Sequence, residues 1–366
     1  MVAAIGGGVG ISSGSVGLGG TVAYNHIDRD TSAYINGIVT DTDAVEVNAE
    51  NTGEIVAVSL AGAATYDGNI GNIVNAGGSR GAHVHQDTVN GGIIEIEMQD
   101  EDQDGLLDLA EGLLDIGTAG NHNVDNGNDV VDNVANQGQG ANEYIRNAKN
   151  GFAVAANVAV NRVFDNADAY IAKADTAGIV PVVNADYVRV QSNNASSIVS
   201  ASGEASVDLS TGSASTGVAG GFMYNSVDSI NNAYIHDAII SVDGNTSNED
   251  EAISIDAINE EEILNIAIGG AVAPKGNTVV GQVGINRIDN VTTASMLDSN
   301  IIAGEKIAVN ATDKAKIQSY IGSGSGTGKA FVGIGASVGV QDIDATTTAK
   351  IENSYYLSHF IARNYC

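Results

Sequence analysis

Five short stretches of this chain copy one another, and they restrict its fold more than any other feature. They are Thr21-Val-Ala-Tyr-Asn-His-Ile-Asp, Asn157-Val-Ala-Val-Asn-Arg-Val-Phe-Asp, Gly221-Phe-Met-Tyr-Asn-Ser-Val-Asp, Gln282-Val-Gly-Ile-Asn-Arg-Ile-Asp and Ser337-Val-Gly-Val-Gln-Asp-Ile-Asp. Each alternates apolar with small or polar residues, a period of two that signals a strand. The Asn and Asp read as the turn closing that strand, because their side chains can bond nearby backbone.

More landmarks follow at fixed distances. Nine residues beyond the Asn stands Tyr34, Tyr170 or Tyr234, replaced by Ser295 and Lys350 in the last two copies. A second alternating run starts at Val45, Val188, Ile253 and Ile307, and ten residues later come Ile55, Ile198, Ile263 and Ile317. Between the Asn and the second run the spacing varies, from 20 to 28 residues. Rigid segments with elastic turns are what stacked parallel strands need, since register must hold while solvent-facing turns lengthen at little cost. A helical repeat would show a period near 3.6 and little Gly, whereas Gly numbers 46.

The repeat Asn residues stand at 25, 161, 225 and 286, with Gln341 fifth, so the gaps are 136, 64, 61 and 55. A unit near 60 residues predicts about three coils of ~20 residues each, within the usual range of solenoid repeats. On that reading the repeat Asn residues need not form one ladder. The wide first gap marks an insertion. The expected organisation is a first repeat at 1–62, an insertion at 63–150, repeats at 151–214, 215–275 and 276–327, and a degenerate partial repeat at 328–366. The fold class is all-β: a right-handed parallel β-helix (β-solenoid) with a loop-rich insertion carrying a short helix and an EF-hand-like calcium loop.

Composition agrees with that class. Hydrophobic residues make up 43%, aromatics only 5%, and Trp is absent, so the apolar mass is Ala, Val and Ile. Small and β-branched side chains suit narrow stacked sheets. The formal net charge of −30 opposes binding to nucleic acid or anionic lipid. No apolar run reaches the ~18 residues of a membrane helix, so no direct membrane insertion is expected. The single Cys366 excludes a disulfide framework within the chain. Met1–Gly20 reads as mid-repeat and lacks the basic start of a signal peptide, and Tyr355–Cys366 breaks the pattern, so a fragment or an abruptly ended reading frame is expected.

Inside the insertion, Asp100-Glu-Asp102-Gln-Asp104-Gly105-Leu106-Leu107-Asp108-Leu-Ala-Glu111 fills every constrained position of the twelve-residue EF-hand loop. Calcium takes 6–8 oxygens. Asp100, Asp102, Asp104 and Asp108 supply carboxylates, Leu106 its carbonyl, Glu111 both carboxyl oxygens, and Gly105 the sharp turn. The preceding segment is strand-like and only Leu106–Leu114 reads as helix, so one structural calcium site is expected. His83 and His85 share a strand face but have no third ligand nearby in sequence, which leaves transition-metal binding unsupported. Gly322-Ser-Gly-Ser-Gly-Thr-Gly-Lys329 lacks the Ser or Thr after Lys that a phosphate loop needs.

The order of strand, Asn, apolar-Asp, Ala-Tyr-Ile and second strand resembles the repeats of giant Gram-negative filamentous adhesins and leukotoxin-like exoproteins of the filamentous-haemagglutinin type. The likeness covers about 1–62 and 151–350. It implies a non-catalytic β-helix shaft, extracellular and associated with the bacterial outer membrane. Its partners would be receptors on host cells or bacteria, engaged through other parts of the parent protein. The calcium insertion and the degenerate fifth unit depart from that pattern. A carbohydrate-active β-helix of the polysaccharide lyase or hydrolase kind is the alternative, but it calls for basic residues or aromatic sugar platforms, and Trp is absent and Arg sparse. An ice- or mineral-binding module would need a flat Thr ladder, whereas Thr here clusters in turns.

Overall fold

The computed structural model describes residues 1–12, 16–66, 74–75, 83–85, 151–174, 178–210, 215–242, 251–303, 306–328 and 331–358. The fold is essentially all-β, with two mostly parallel sheets and a repeating strand order. The strands are β1 (Val2–Ser12), β2 (Val16–Ile35), β3 (Ile38–Tyr66), β4 (Val74–Asn75), β5 (His83–His85), β6 (Phe152–Ala172), β7 (Val182–Leu209), β8 (Ser215–His236) and β9 (Ile239–Val242). They continue as β10 (Glu251–Asn259), β11 (Glu262–Ala273), β12 (Gly276–Leu297), β13 (Asn300–Ala303), β14 (Lys306–Asp313), β15 (Lys316–Thr327), β16 (Gly333–Glu352) and β17 (Tyr355–Ser358).

The first sheet runs β5-β2-β6-β8-β12-β16. The second runs β4-β1-β3-β7, then through the shorter pieces β9, β10 and β11, then β13, β14 and β15, and ends with β17 on β13. Every pairing is parallel except β1 with β4. Each repeat thus gives one long rung to the first sheet and one to the second, and both pair with their counterparts in the next repeat.

That pairing corrects two expectations. The ~60-residue unit is one layer, not three coils of ~20, because Asn25 pairs in register with Asn161, Asn161 with Asn225, Asn225 with Asn286 and Asn286 with Gln341. The Asn also does not close a strand. It lies mid-strand, and the alternation runs through it to Ile35, Ala172, His236 and Leu297. The short apolar-small runs looked separate in sequence because single Gly, Asn and Asp residues interrupt them, yet in a stacked sheet their backbone is held by both neighbours.

The corner between the sheets is tight. Asp237, Asp298 and Asn353 occupy it in successive layers with φ of 52°, 47° and 51°. Asp and Asn tolerate this left-handed region better than other non-glycine residues. The corners stack as the strands do: Asp237 N donates to Leu297 O at 3.2 Å and Asp298 N to Glu352 O at 3.1 Å.

Between the sheets lies a core of small and β-branched side chains. Ile27, Val163, Val227 and Ile288 from the first sheet pack with Ile55, Ile198 and Ile263 from the second. A larger cluster near the corner joins Val45, Val188, Ile253 and Val190 to Ile171, Ile235 and Met296. Burying one such side chain contributes about 1.5–3 kcal/mol. Because register repeats each layer, one inward choice is reused along the whole row.

Candidate functional site

The positions of strongest chemistry lie between the sheets. The repeat Asn residues form a ladder: Asn25 Nδ2 donates to Asn161 Oδ1, Asn161 Nδ2 to Asn225 Oδ1 and Asn225 Nδ2 to Asn286 Oδ1, each at 2.7 Å. All four side chains are buried. A buried amide is costly unless bonded, so the row fixes register as well as adding bonds. Its two ends are open: Asn25 Oδ1 has no donor and Asn286 Nδ2 no acceptor. Gln341, one methylene longer, occupies the next position without completing the row.

A second polar row bridges the sheets. Asn51 Nδ2 donates to Asn194 Oδ1 at 3.1 Å, Asn194 Nδ2 to Ser229 Oγ at 2.8 Å, and Asn259 Nδ2 to Thr292 Oγ1 at 2.8 Å.

Beside these rows sits an ion pair between adjacent layers. In unbroken register, Phe164 stands where the neighbouring copies have Asp28 and Asp228, and Asp165 stands where they have Arg29 and Ser229. Side chains alternate faces along a strand, so Asp165 turns inward. Arg29 Nε donates to Asp165 Oδ1 at 2.8 Å and Nη2 to Oδ2 at 2.6 Å. The guanidinium also donates to Thr52 O and to Ser196 Oγ. Gly53 makes the space for it, since a Cβ there would lie 2.5 Å from Arg29 Nη1.

Among the described residues three buried carboxyls have no ion-pair partner: Asp208, which accepts from Ser210 N and Thr216 N, and Glu204 and Glu261. Glu204 accepts from Gln282 Nε2 and from Ser202 Oγ. A Cβ on Gly221 would lie 2.2 Å from Glu204 Oε1, and one on Gly269 would lie 2.4 Å from Gln282 Nε2, so both glycines make room for this contact. Burial pushes the Glu204 carboxyl up to about 7 despite these bonds. Glu261 Oε2 accepts from Asn290 Nδ2 at 2.7 Å, and Oε1 has no partner. Burial, helped by the nearby Asp313 and Asp165 charges, pushes it up to about 8. Near pH 7 Glu261 is therefore mostly protonated and Glu204 about half so, and both side chains are shielded from solvent.

On the outer face, Tyr34, Tyr170 and Tyr234 stack in successive layers, with centroids 5.2 and 4.8 Å apart and planes within 11°. The rings cover each other's faces and leave their edges to solvent. A sugar platform needs a free face, so this row reads as layer packing. Burial beside Tyr170 and Asp168 pushes the Tyr234 hydroxyl up to about 12.

A cleft of ≈ 290 Å³ opens at the last layer, lined by Met296, Ile301, Ile307, Ile351 and Tyr356 among others, and it contains none of the buried carboxyls. Among the described residues no group of three or more His, Cys, Asp or Glu is placed to hold a metal ion. The expected calcium ligands Asp100, Asp102, Asp104, Leu106, Asp108 and Glu111 lie outside the described residues, as does the expected short helix. His83–His85 forms a short strand in register with His26–Asp28.

The inward Arg29, Asp165, Glu204 and Glu261 were missed in the sequence. Two signals could have found them: Phe164 in the place of the repeat Asp, with an acid one position later at inward parity, and the glycines at 53, 221 and 269.

Comparison of the chain with family models, with curated proteins and with solved structures returned no match.

Proposed function

We propose that this chain is a shaft segment, a right-handed parallel β-helix belonging to a large secreted or surface-exposed bacterial adhesin. In this reading the shaft is not itself catalytic and holds a distant adhesive region away from the cell. Receptors on host cells or other bacteria are engaged elsewhere in the parent protein. Right-handed winding follows from the strong preference of parallel crossover connections. The insertion, through Asp100–Glu111, binds one structural calcium ion, which offsets the mutual repulsion of its carboxylates.

One observation carries the reading: unbroken in-register pairing from β2 through β6, β8 and β12 to β16, with the Asn ladder inside it. Such a stack gives each repeat the same job, adding one layer of about 4.8 Å to a rigid length. The acidic, Trp-free surface and the inaccessible carboxyls also favour a spacer over a carbohydrate-active site.

The test is made on the parent protein at the cell surface. Deleting 215–275, one whole repeat, should leave export intact and the remaining stack in register, with adhesion retained or moderately reduced. Loss of a hydrolytic or lyase activity on deletion, with adhesion untouched, would contradict the shaft reading.

A further inference from the structure

We infer that a second copy of this chain packs against the outer face of the second sheet, so that two stacks lie side by side with their layers level.

The polarity of that sheet reverses partway along each layer. In the first part of β3 the usual order holds: Val45, Val47 and Ala49 are buried, and Glu46, Asn48 and Glu50 face out. Beyond Ile55 and its register mates Ile198 and Ile263 the order inverts. Ser200, Ser202, Glu204, Ser206 and Asp208 are buried inside, so by alternation Val199, Ala201, Val207 and Leu209 face outward. β3 presents Val56, Val58 and Leu60 at the matching outer positions, and β11 presents Leu264, Ile266 and Ile268. From Ile55, Ile198 and Ile263 to the ends of their strands, no outer position carries a charge, in a chain of net charge −30.

This apolar face is open. Leu60, Ile268 and Val272 are 53%, 62% and 44% exposed. Each has a paired strand on both sides, so the exposure is not that of a stack end. The first sheet is apolar outside as well, but Val158 and Val160 at its centre are already buried, which leaves the second sheet as the free surface.

Size and relief select the occupant. Five layers, β1, β3, β7, β11 and β15, stack here. At ~4.8 Å per layer and ~3.3 Å per residue, nine residues of each make an area on the order of 700 Å². That exceeds the usual exposed patch of a monomer and approaches the ~800 Å² each partner buries in a stable complex. The face is also self-complementary. A two-fold axis parallel to the stack and passing over Ala61, Glu204 and Gly269 sets Leu60 of one copy on Gly62 of the other, and Ile268 on Gly270. The next pairs outward set Val58 on Ala64, Val207 on Ala201 and Tyr320 on Gly326. Large meets large only at Ile5 with Ile11 and Ile266 with Val272, and small meets small at Gly203 with Ala205 and Gly322 with Gly324.

Nothing within the chain requires the small members. A Cβ on Gly62, Gly270 or Gly324 would meet no atom closer than 3.4 Å, and none of the three has a left-handed φ. Glycine inside a strand commonly marks the close approach of another backbone. Two sheets packed face to face, ~10 Å apart, supply that approach. Fluid lipid chains have no use for such relief.

The experiment is sedimentation equilibrium over a concentration series, on the full chain carrying Cys366→Ser so that no disulfide links two copies. Docking predicts a mass that rises from monomer and levels at twice that value. Ile268→Lys and Gly270→Val should each raise the dissociation constant about 100-fold. Gly270→Val adds a β-branched residue where there is room, so the melting temperature of its monomer should not fall, which separates lost docking from lost folding. A chain that stays monomeric at every concentration overturns the inference. If that monomer floats with neutral phosphatidylcholine vesicles and Ile268→Lys does not, lipid is the occupant instead. A dimer that both substitutions leave intact also overturns it, as does a mass that grows past two copies without a plateau.

Discussion

Asp165 holds Arg29 of the adjacent layer with both carboxylate oxygens, at 2.8 and 2.6 Å, because the two share one register position and therefore one inner face. The Asp165 side chain is 0% exposed and that of Arg29 11%. Removing one partner of a buried pair leaves the other charge without compensation, a loss of about 3–5 kcal/mol. Asp165→Asn should lower the free energy of urea unfolding by that amount, and Arg29→Met combined with Asp165→Leu should recover most of it. Equal losses in the single and double variants would show that the pair is not coupled.

The Asn ladder makes a second prediction. Asn225→Ala removes a middle rung and leaves Asn161 Nδ2 without its acceptor, while Asn286 Oδ1 keeps only Asn265 Nδ2 at 3.2 Å, which should cost about 1–3 kcal/mol. Gln341→Asn should act the other way, giving Asn286 Nδ2 its missing acceptor and raising stability by about 0.5–1.5 kcal/mol. Thermal melts of both variants check the pair of signs.

Stability should depend on pH in a direction opposite to that of ordinary salt-bridged carboxylates. Glu204 and Glu261 bind protons more tightly when folded, at about 7 and about 8 against an ordinary value of 4.5. Their contribution is complete below pH 4.5 and declines as pH rises through 7 and 8, where the folded protein must ionise buried groups. Urea unfolding at pH 5.5 and 9 should show the loss, on the order of a few kcal/mol in total. Glu261→Gln should flatten the slope. An unchanged slope in that variant would place the titrating group elsewhere.

Calcium is expected at one site. Isothermal titration of the full chain should show a single calcium event at millimolar ion or below, lost in Asp104→Ala and in Glu111→Gln. The Glu111 change is the sharper probe, since it removes a bidentate ligand while keeping size.

Strand periodicity, the repeat and its fixed spacings were legible in the sequence because alternation is written residue by residue. The depth of the repeat was not. A period of two cannot say whether a strand stops at Asn25 or passes through it, and only the pairing of Asn25 with Asn161 decides that. The interior polar groups were hidden for a related reason. Arg29 and Glu204 look like surface residues until the parity of each position is known, and parity depends on an unbroken strand. Gly53 and Gly221 read as generic repeat glycines, whereas their role is to make room for Arg29 and Glu204 in the neighbouring strands.

Spin labels at Tyr34→Cys and Lys350→Cys, in a chain whose Cys366 is replaced by Ser, address the layering directly. The two positions share one register and stand four layers apart, so dipolar spectroscopy should give a narrow distance near ~19 Å. Three coils per repeat would put roughly twelve layers between the labels, ~58 Å apart. A distance in that range, or a broad distribution, would contradict the one-layer stack.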